Sequence, residues 1–371
     1  MLVEHRLAED GASRSNLRLA HRWSAAGVAV RVLALQRPGA DAGAPVPPGV
    51  EPVHPWGARE PRLRWALLGG LMRLVVLARR TDVVLVGREI GWGLLVGRVA
   101  ALIARRPCVV MVRSEPRAAL EQYVARRLQG PMRWALRTAD RVVCITPGLV
   151  EPTVAMGVSP ERVTVVRNGV DVAAIRAAAA ASPSVEVPGT GPVVVGVGRL
   201  CRQKGFDVLV RAHARVVTSG LPHRLVLLGE GPDRAELTRL AAELGVADSV
   251  TMPGFVADPV ATVARADLYC LPSRWEGFGQ TLAEALVVGT PAVAADCVSG
   301  PRLLLGDGSR GALVPVDDVA ALADAIGRHL RRPEVLRGIA ARAQPWAAAH
   351  LDVGRTADGV LGVLADVVVS R

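Results

Sequence analysis

Short apolar runs alternate along the chain with longer stretches in which apolar residues recur at helical spacing, the pattern that builds parallel sheets covered by helices. Candidate strands fall at Val28–Leu35, Asp82–Val86, Cys108–Val112, Arg141–Ile145 and Val163–Val166. From Arg176 to Pro192 the chain is rich in Ala, Ser, Pro and Gly without a periodic apolar face, and it reads as a linker. A second series follows at Val193–Val197, Arg224–Leu228, Ser249–Met252, Asp267–Leu271 and Pro291–Ala294. Two α/β domains in tandem are predicted, 1–184 and 185–354. A helix over Val319–Arg331 closes the second, and a final apolar helix over 355–371 is free to pack back on the first. Only Met1, Leu2 and Val3 precede charged residues, where a doubly wound domain normally opens on a longer buried strand. The first strand is therefore predicted to be short, or to begin upstream.

The length of 371 residues suits two domains of ordinary size. The run from Trp65 to Met72 is stopped by Arg64 and Arg73, well short of the roughly 20 apolar residues that a membrane span needs. The start, MLVEHRLAED, has acids at Glu4 and Glu9 and no apolar stretch ending in a cleavage site, unlike a secretory signal. Cys108, Cys144, Cys201, Cys270 and Cys297 are scattered and odd in number, as expected of reduced core residues in a cytoplasmic protein. The net charge of +11 is unevenly placed: residues 1–184 hold 26 basic against 14 acidic side chains, and the remainder 19 against 20. A coding bias towards Arg explains why there is a single lysine, but not why one half is neutral. A basic half attracts phosphate, whether on nucleic acid, on an anionic membrane face or on a pyrophosphate-linked lipid. Nucleic acid is disfavoured because aromatic residues, which would interleave with the cations, make up only 3% of the chain.

Candidate chemistry concentrates in the second half. In Leu271-Pro-Ser-Arg-Trp-Glu-Gly-Phe-Gly-Gln-Thr-Leu-Ala-Glu-Ala-Leu286 a strand runs into a glycine-rich loop, and a helix begins near Gly279 with free backbone amides suited to anions or sugar hydroxyls. Glu276 lies in the loop and Glu284 on the helix among Ala and Leu, where a carboxylate needs a hydrogen-bonding partner. Read alone, Glu276 serves equally as an acid favoured by the helix dipole and Glu284 as a surface residue. In Val193-Val-Val-Gly-Val-Gly-Arg-Leu-Cys-Arg-Gln-Lys-Gly-Phe-Asp207 a buried strand delivers Arg199 and Lys204 to the edge where open α/β sheets bind ligands. Two cations there can hold a diphosphate, or they are solvated turn residues. The dinucleotide fingerprint is absent, because Cys201 stands where its third glycine would be. The loops at Gly229 to Gly231 and at Phe255 and Val256 lie on the same sheet edge, and Asn168-Gly-Val-Asp171 reads as a turn.

Ala139-Asp-Arg-Val-Val-Cys-Ile-Thr146, Val165-Val-Arg-Asn-Gly-Val-Asp171, Gly198-Arg-Leu through Lys204-Gly-Phe, and the pair Glu276 and Glu284 occur in one order and spacing. In this the chain resembles family 4 of the retaining glycosyltransferases. The resemblance covers nearly the whole chain and implies the GT-B architecture, two Rossmann-like parallel-sheet domains facing across a cleft. It implies that Arg199 and Lys204 clamp the diphosphate of a nucleotide-sugar donor, and that Glu276 contacts the donor sugar with support from Gly277, Phe278 and Gly279. It further implies that Glu284 binds the ribose, and that Gly229, Gly231, Phe255 and Val256 border the base. The acceptor is expected to attack on the leaving-group face, with a donor phosphate oxygen taking the proton and no metal or cofactor.

Asp296-Cys-Val-Ser-Gly-Pro-Arg-Leu-Leu-Leu305 resembles a segment of a bacterial subgroup that builds cell-surface or lipid-linked oligosaccharides. That implies a glycan or lipid-pyrophosphate acceptor and a place at the inner face of the cell membrane, with Pro61–Arg80 as a candidate basic helix on anionic lipid. Two departures stand out. Arg113-Ser-Glu115 occupies the position of a usual acceptor-side histidine, which makes Arg113 and Glu115 the candidates there, and the opening glycine loop is reduced to Asp10-Gly11-Ala-Ser-Arg14, which leaves Gly11 as its donor-binding candidate. A noncatalytic nucleotide-sugar-binding or scaffold protein is the competing reading.

Overall fold

The computed structural model describes residues 1–6, 11–36, 49–53, 63–183, 185–187 and 189–370. They form two compact units, Met1–Asn168 with Val353–Arg371, and Gly169–Asp352. The first runs β1 (Leu2–Arg6), α1 (Gly11–Ala25), β2 (Arg31–Gln36), β3 (Glu51–Val53), α2 (Leu63–Arg79), β4 (Val84–Val86), α3 (Trp92–Ala104), β5 (Cys108–Val112), α4 (Pro116–Tyr123), α5 (Arg126–Arg137), β6 (Arg141–Cys144), α6 (Val150–Ala155) and β7 (Val163–Val165). The second runs α7 (Val172–Ala180), β8 (Val193–Val197), α8 (Phe206–Thr218), β9 (Arg224–Leu228), α9 (Arg234–Glu243), β10 (Val250–Gly254), α10 (Val260–Arg265), β11 (Leu268–Leu271), α11 (Gln280–Val288), β12 (Ala292–Ala295), α12 (Gly300–Leu305), β13 (Ala312–Val314), α13 (Val319–Arg331) and α14 (Pro333–His350). The last helix, α15 (Val353–Val369), belongs to the first unit: it packs on α1, where Trp23 Nε1 donates to the Ala357 carbonyl at 2.9 Å.

Both sheets are parallel throughout, with strand orders β3-β2-β1-β4-β5-β6-β7 and β10-β9-β8-β11-β12-β13. The central strands are continuous Val- and Leu-rich runs because helices cover both of their faces. In each sheet the order reverses at one place, between β1 and β4 and between β8 and β11. The loops leaving the two strands diverge there and open a crevice, the usual binding position in such sheets.

Several boundaries differ from the sequence expectation. β1 is five residues long because Glu4 is buried within it and hydrogen-bonded by Asn16. β2 starts at Arg31 because Val28 N donates to the Trp23 carbonyl and so belongs to the turn that ends α1. β3 and β13, three residues each, have too few apolar positions to stand out. The expected boundary after residue 184 falls instead between Asn168 and Gly169. The Ala-rich segment read as linker begins inside α7, which buries Val172 and Ile175 and packs on α10 and α11. Alanine is the strongest helix former, so composition alone misleads here. All five cysteines are buried and unbridged, and burial pushes the Cys144 thiol up to about 11. Among the described residues no helix is long and apolar enough to cross a membrane.

Candidate functional site

The crevice of the second sheet brings the two strongest sequence segments together. After β8 the chain passes Gly198 and Arg199 and makes a short 3-10 turn over Arg202–Lys204, and after β11 it passes Ser273 and Glu276 before α11. Lys204 Nζ donates to Glu276 Oε1 at 2.5 Å, and Ser273 Oγ donates to the same oxygen at 2.9 Å. Burial works against the Lys204 ammonium, but the charge and hydrogen bond of Glu276 outweigh it and hold its pKa above the ordinary value. Lys204 is thus not a solvated turn residue, since its side chain is 19% exposed and that of Glu276 only 9%. Arg199 is exposed and makes no ion pair among the described residues. A paired and an unpaired cation therefore sit on one loop.

Residues that sequence reading did not single out hold these loops in register. Arg274 reaches across to Asp207 at 2.7 and 3.0 Å and to Asp317 at 2.7 Å, while its backbone N donates to the Gln203 carbonyl. Gln203 Nε2 returns a bond to the Trp275 carbonyl at 3.0 Å. On the other side Ser299, at a φ of +90° that non-glycine residues rarely adopt, pairs with Glu276 as a parallel bridge and donates from Oγ to the Gly277 carbonyl at 2.8 Å. The segment read as an acceptor-subgroup signature is therefore, in the fold, a strut for the Glu276 loop. Two buried donors near Glu276 in sequence, Trp275 Nε1 and Gln280 Nε2, have no hydrogen-bond partner among the described residues, which is rare in native interiors.

Gly277, Phe278 and Gly279 are buried and lead into α11, with Gly279 at φ +86°. Glu284, half-buried, lies in the second turn of α11, the helix that Thr281 ties to β11 through a 2.6 Å bond to the buried Tyr269 hydroxyl. Gly229 and Gly231 have a packing reason for their identity: a Cβ at Gly229 would lie 1.9 Å from the Gly198 carbonyl oxygen, and one at Gly231 2.2 Å from that of Leu200. Phe255 is 55% exposed and Val256 half-buried, both in the loop after β10.

The crevice of the first sheet is a buried polar cluster. Arg113 donates from Nε to the Gly87 carbonyl at 3.1 Å, from Nη1 to Ser15 at 3.2 Å, and from Nη2 to Asn16. Glu89 accepts from the backbone N of Arg113 at 2.9 Å and from both the backbone N and the hydroxyl of Ser114. Glu4 is bonded by Asn16 and lies 3.7 Å from Arg88, which donates to Ser13 at 3.0 Å. Sequence reading found Arg113 but missed Glu4, Asn16 and Glu89, which come from segments far apart in the chain. Glu115 does not join the cluster: it caps α4, accepting from Arg117 N at 3.1 Å and from Ala118 N. Gly11 opens α1 with open space around it, and Asp10 lies outside the described residues.

Sequence comparison bears on both halves. The family described as Glycosyltransferase Family 4 matches residues 10–174, and Glycosyl transferases group 1 matches residues 179–346. The 2-deoxystreptamine glucosyltransferase of Streptomyces kanamyceticus is 31% identical over 281 residues, 72% of this chain and 72% of that protein. The D-inositol 3-phosphate glycosyltransferase of Acidothermus cellulolyticus is 38% identical over 251 residues, 63% of this chain and 54% of that protein. The chain spans 46% to 54% of the length of this and two other curated relatives that it matches. Among solved structures, Anabaena Alr3699/HepE in complex with UDP-glucose superposes with a TM-score of 0.78 over 98% of each chain at 22% identity, a likeness of fold. With both halves matched in order and a relative covered over most of its length, the chain belongs to glycosyltransferase family 4 and has the GT-B fold of two Rossmann-like units.

Proposed function

We propose that the chain transfers a sugar from a nucleotide diphosphate donor to a hydroxyl of a glycan or lipid-linked acceptor, with retention of anomeric configuration and without a metal. The observation that carries this reading is the buried Lys204–Glu276 pair at the second switch point, with the unpaired Arg199 on the same loop. As the bond from the anomeric carbon to the diphosphate oxygen breaks, negative charge grows on the leaving group, and two preorganised cations stabilise it where it develops. The acceptor oxygen forms the new bond to the same carbon, and its proton passes to a diphosphate oxygen. The amides that open α11 offer further hydrogen bonds to donor oxygens. Glu276 Oε2 is placed to accept from a sugar hydroxyl, and Glu284 is the residue assigned to the ribose.

In the first unit Arg113, oriented by Glu89 and Asn16, is the candidate acceptor-side residue; Glu115 is set aside because capping engages both its oxygens. UDP is the first donor base to try, because the structural relative was solved with UDP-glucose. The test is the thermal shift of the purified chain with UDP, GDP, ADP and TDP, with and without their sugars, since a ligand that binds only the folded state raises its melting point. Stabilisation by one nucleotide that Arg199→Ala abolishes supports the donor site. No shift with any of them, in folded protein, overturns it and favours a scaffold role. The anomeric configuration of the product, read by NMR, tests retention.

A further inference from the structure

The basic excess of the first unit is not used by the donor site proposed above, whose charged residues Arg199, Lys204, Glu276 and Glu284 belong to the second. The crossovers β3 to β4, β4 to β5 and β5 to β6 all run the same way across the sheet, so right-handed connections place α2, α3 and α5 on one face, and they pack in that order. None of these three helices contains an Asp or Glu. The central one, α3, is apolar except for Arg98, whose buried side chain donates to Thr138 at 3.1 Å and is no part of the exposed side. Its outward stripe, Trp92, Leu95, Val96, Val99, Leu102 and Ile103, is exposed or half-exposed, with Leu102 54% and Ile103 48% exposed. Beside it α5 carries Arg126, Arg127, Arg133 and Arg137, all exposed and without ion pairs among the described residues, together with Trp134 at 41% exposure. On the other side α2 presents Met72 and Val76 among Arg73 and Arg79.

We propose that this face seats the protein on an anionic lipid bilayer, with the α3 stripe at the acyl boundary and the α5 arginines on lipid phosphates. An apolar strip rimmed by cations, with a tryptophan at the margin, matches the layered polarity of a membrane surface. A second copy of the chain is a poor occupant, because a two-fold contact here would set one arginine rim against the other. Nucleic acid would engage the arginines but leave the apolar strip in water. The sequence reading placed such a helix at Pro61–Arg80; residues 61 and 62 lie outside the described residues, and the structure moves the centre of the surface to α3 and α5.

The test is co-sedimentation of the whole chain with vesicles of pure phosphatidylcholine and of equal parts phosphatidylcholine and phosphatidylglycerol, at low and high salt. Binding is expected only to the anionic vesicles and is expected to weaken with salt. Replacing Arg126, Arg127, Arg133 and Arg137 together by Gln should lower the partition coefficient by roughly 10²-fold or more. A charge-matched control replaces Arg211, Arg215, Arg328 and Arg331, exposed on α8 and α13 of the second unit, and should change it little. The pair Leu102→Ser and Ile103→Ser, which leaves charge untouched, should also weaken binding. Equal loss in both arginine quadruples, equal binding to neutral vesicles, or α5-dependent binding of an RNA oligonucleotide in place of vesicles would overturn the proposal. The nucleotide-induced thermal shift is read on the same variants, so failure of membrane binding and failure of the donor site are separable.

Discussion

A lysine ammonium at 19% exposure facing a carboxylate at 9% couples the proposed catalytic role to stability at one residue pair. Removing Lys204 leaves the Glu276 charge buried with Ser273 as its remaining side-chain donor, so Lys204→Met should cost on the order of 3 kcal/mol in urea unfolding. Adding Glu276→Gln should recover most of that stability but no turnover, since a neutral pair needs less solvation yet cannot hold a diphosphate. Equal stability of the single and double variants would show that the unpaired Glu276 charge is not what costs Lys204→Met its stability. The pH dependence has a definite sign. The folded pKa of Lys204 is raised above 10.5, so the folded protein keeps a proton that the unfolded chain releases. Its contribution is therefore complete below pH 10.5 and is lost as pH rises through the folded value. Wild type should lose melting temperature in that alkaline window faster than Lys204→Met. The lysine was legible as the one Lys of the chain at a strand's end, whereas its pairing was not, because Glu276 is 72 residues away.

At the scale of elements, strands with helices on both faces were readable because burial there demands an unbroken apolar run, as in β5, β8 and β9. Elements whose burial depends on a distant partner were not. β1 carries Glu4 inside only because Asn16 and Arg88 meet it, and Ser299 props the Glu276 loop from a different strand's end. Loop glycines show the same dependence on context. Gly229→Ala must push the Gly198 carbonyl aside, so it should destabilise the second unit by about 1–3 kcal/mol and weaken nucleotide binding further; an unchanged melting point would contradict this close approach. The packing of α8 on the sheet carries a pH signature through two buried histidines. His223 Nδ1 must donate to the Leu221 carbonyl, so neutral His223 accepts at Nε2 from His213 Nδ1 at 2.8 Å. Burial first, and the neighbouring His223 second, lower the pKa of His213 to about 3. The unfolded chain therefore binds a proton near pH 6.5 that the folded one refuses, and stability is whole above that pH and lost as pH falls towards 3. His213→Gln should flatten the stability profile across this window by up to about 1.4 kcal/mol per pH unit, measured by urea unfolding at stepped pH.

For the molecule as a whole, the alternation of strand and helix pointed to two parallel-sheet domains and a last helix free to pack back on the first, but not to the residue at which the chain leaves the first unit. The chain leaves the first unit at Asn168 and returns at Val353, so the second unit is one continuous segment and the first is assembled from two. The return is well anchored. Besides the Trp23 bond, Thr356 donates to the Arg167 carbonyl at 2.9 Å, and Val360 is fully buried. This asymmetry predicts how the protein can be divided. The segment 169–352 holds the whole of the second sheet and its site, so it should unfold cooperatively by itself and keep the nucleotide-induced thermal shift. The segment 1–168 lacks α15, which would expose the buried side of α1 and leave the Trp23 donor without its acceptor. It should therefore fail to fold until a peptide of residues 353–371 is supplied, a rescue readable by circular dichroism. Cooperative folding of 1–168 alone would mean that α15 is an accessory to the first unit rather than part of its core, and loss of the nucleotide shift in 169–352 would place part of the donor site outside that segment.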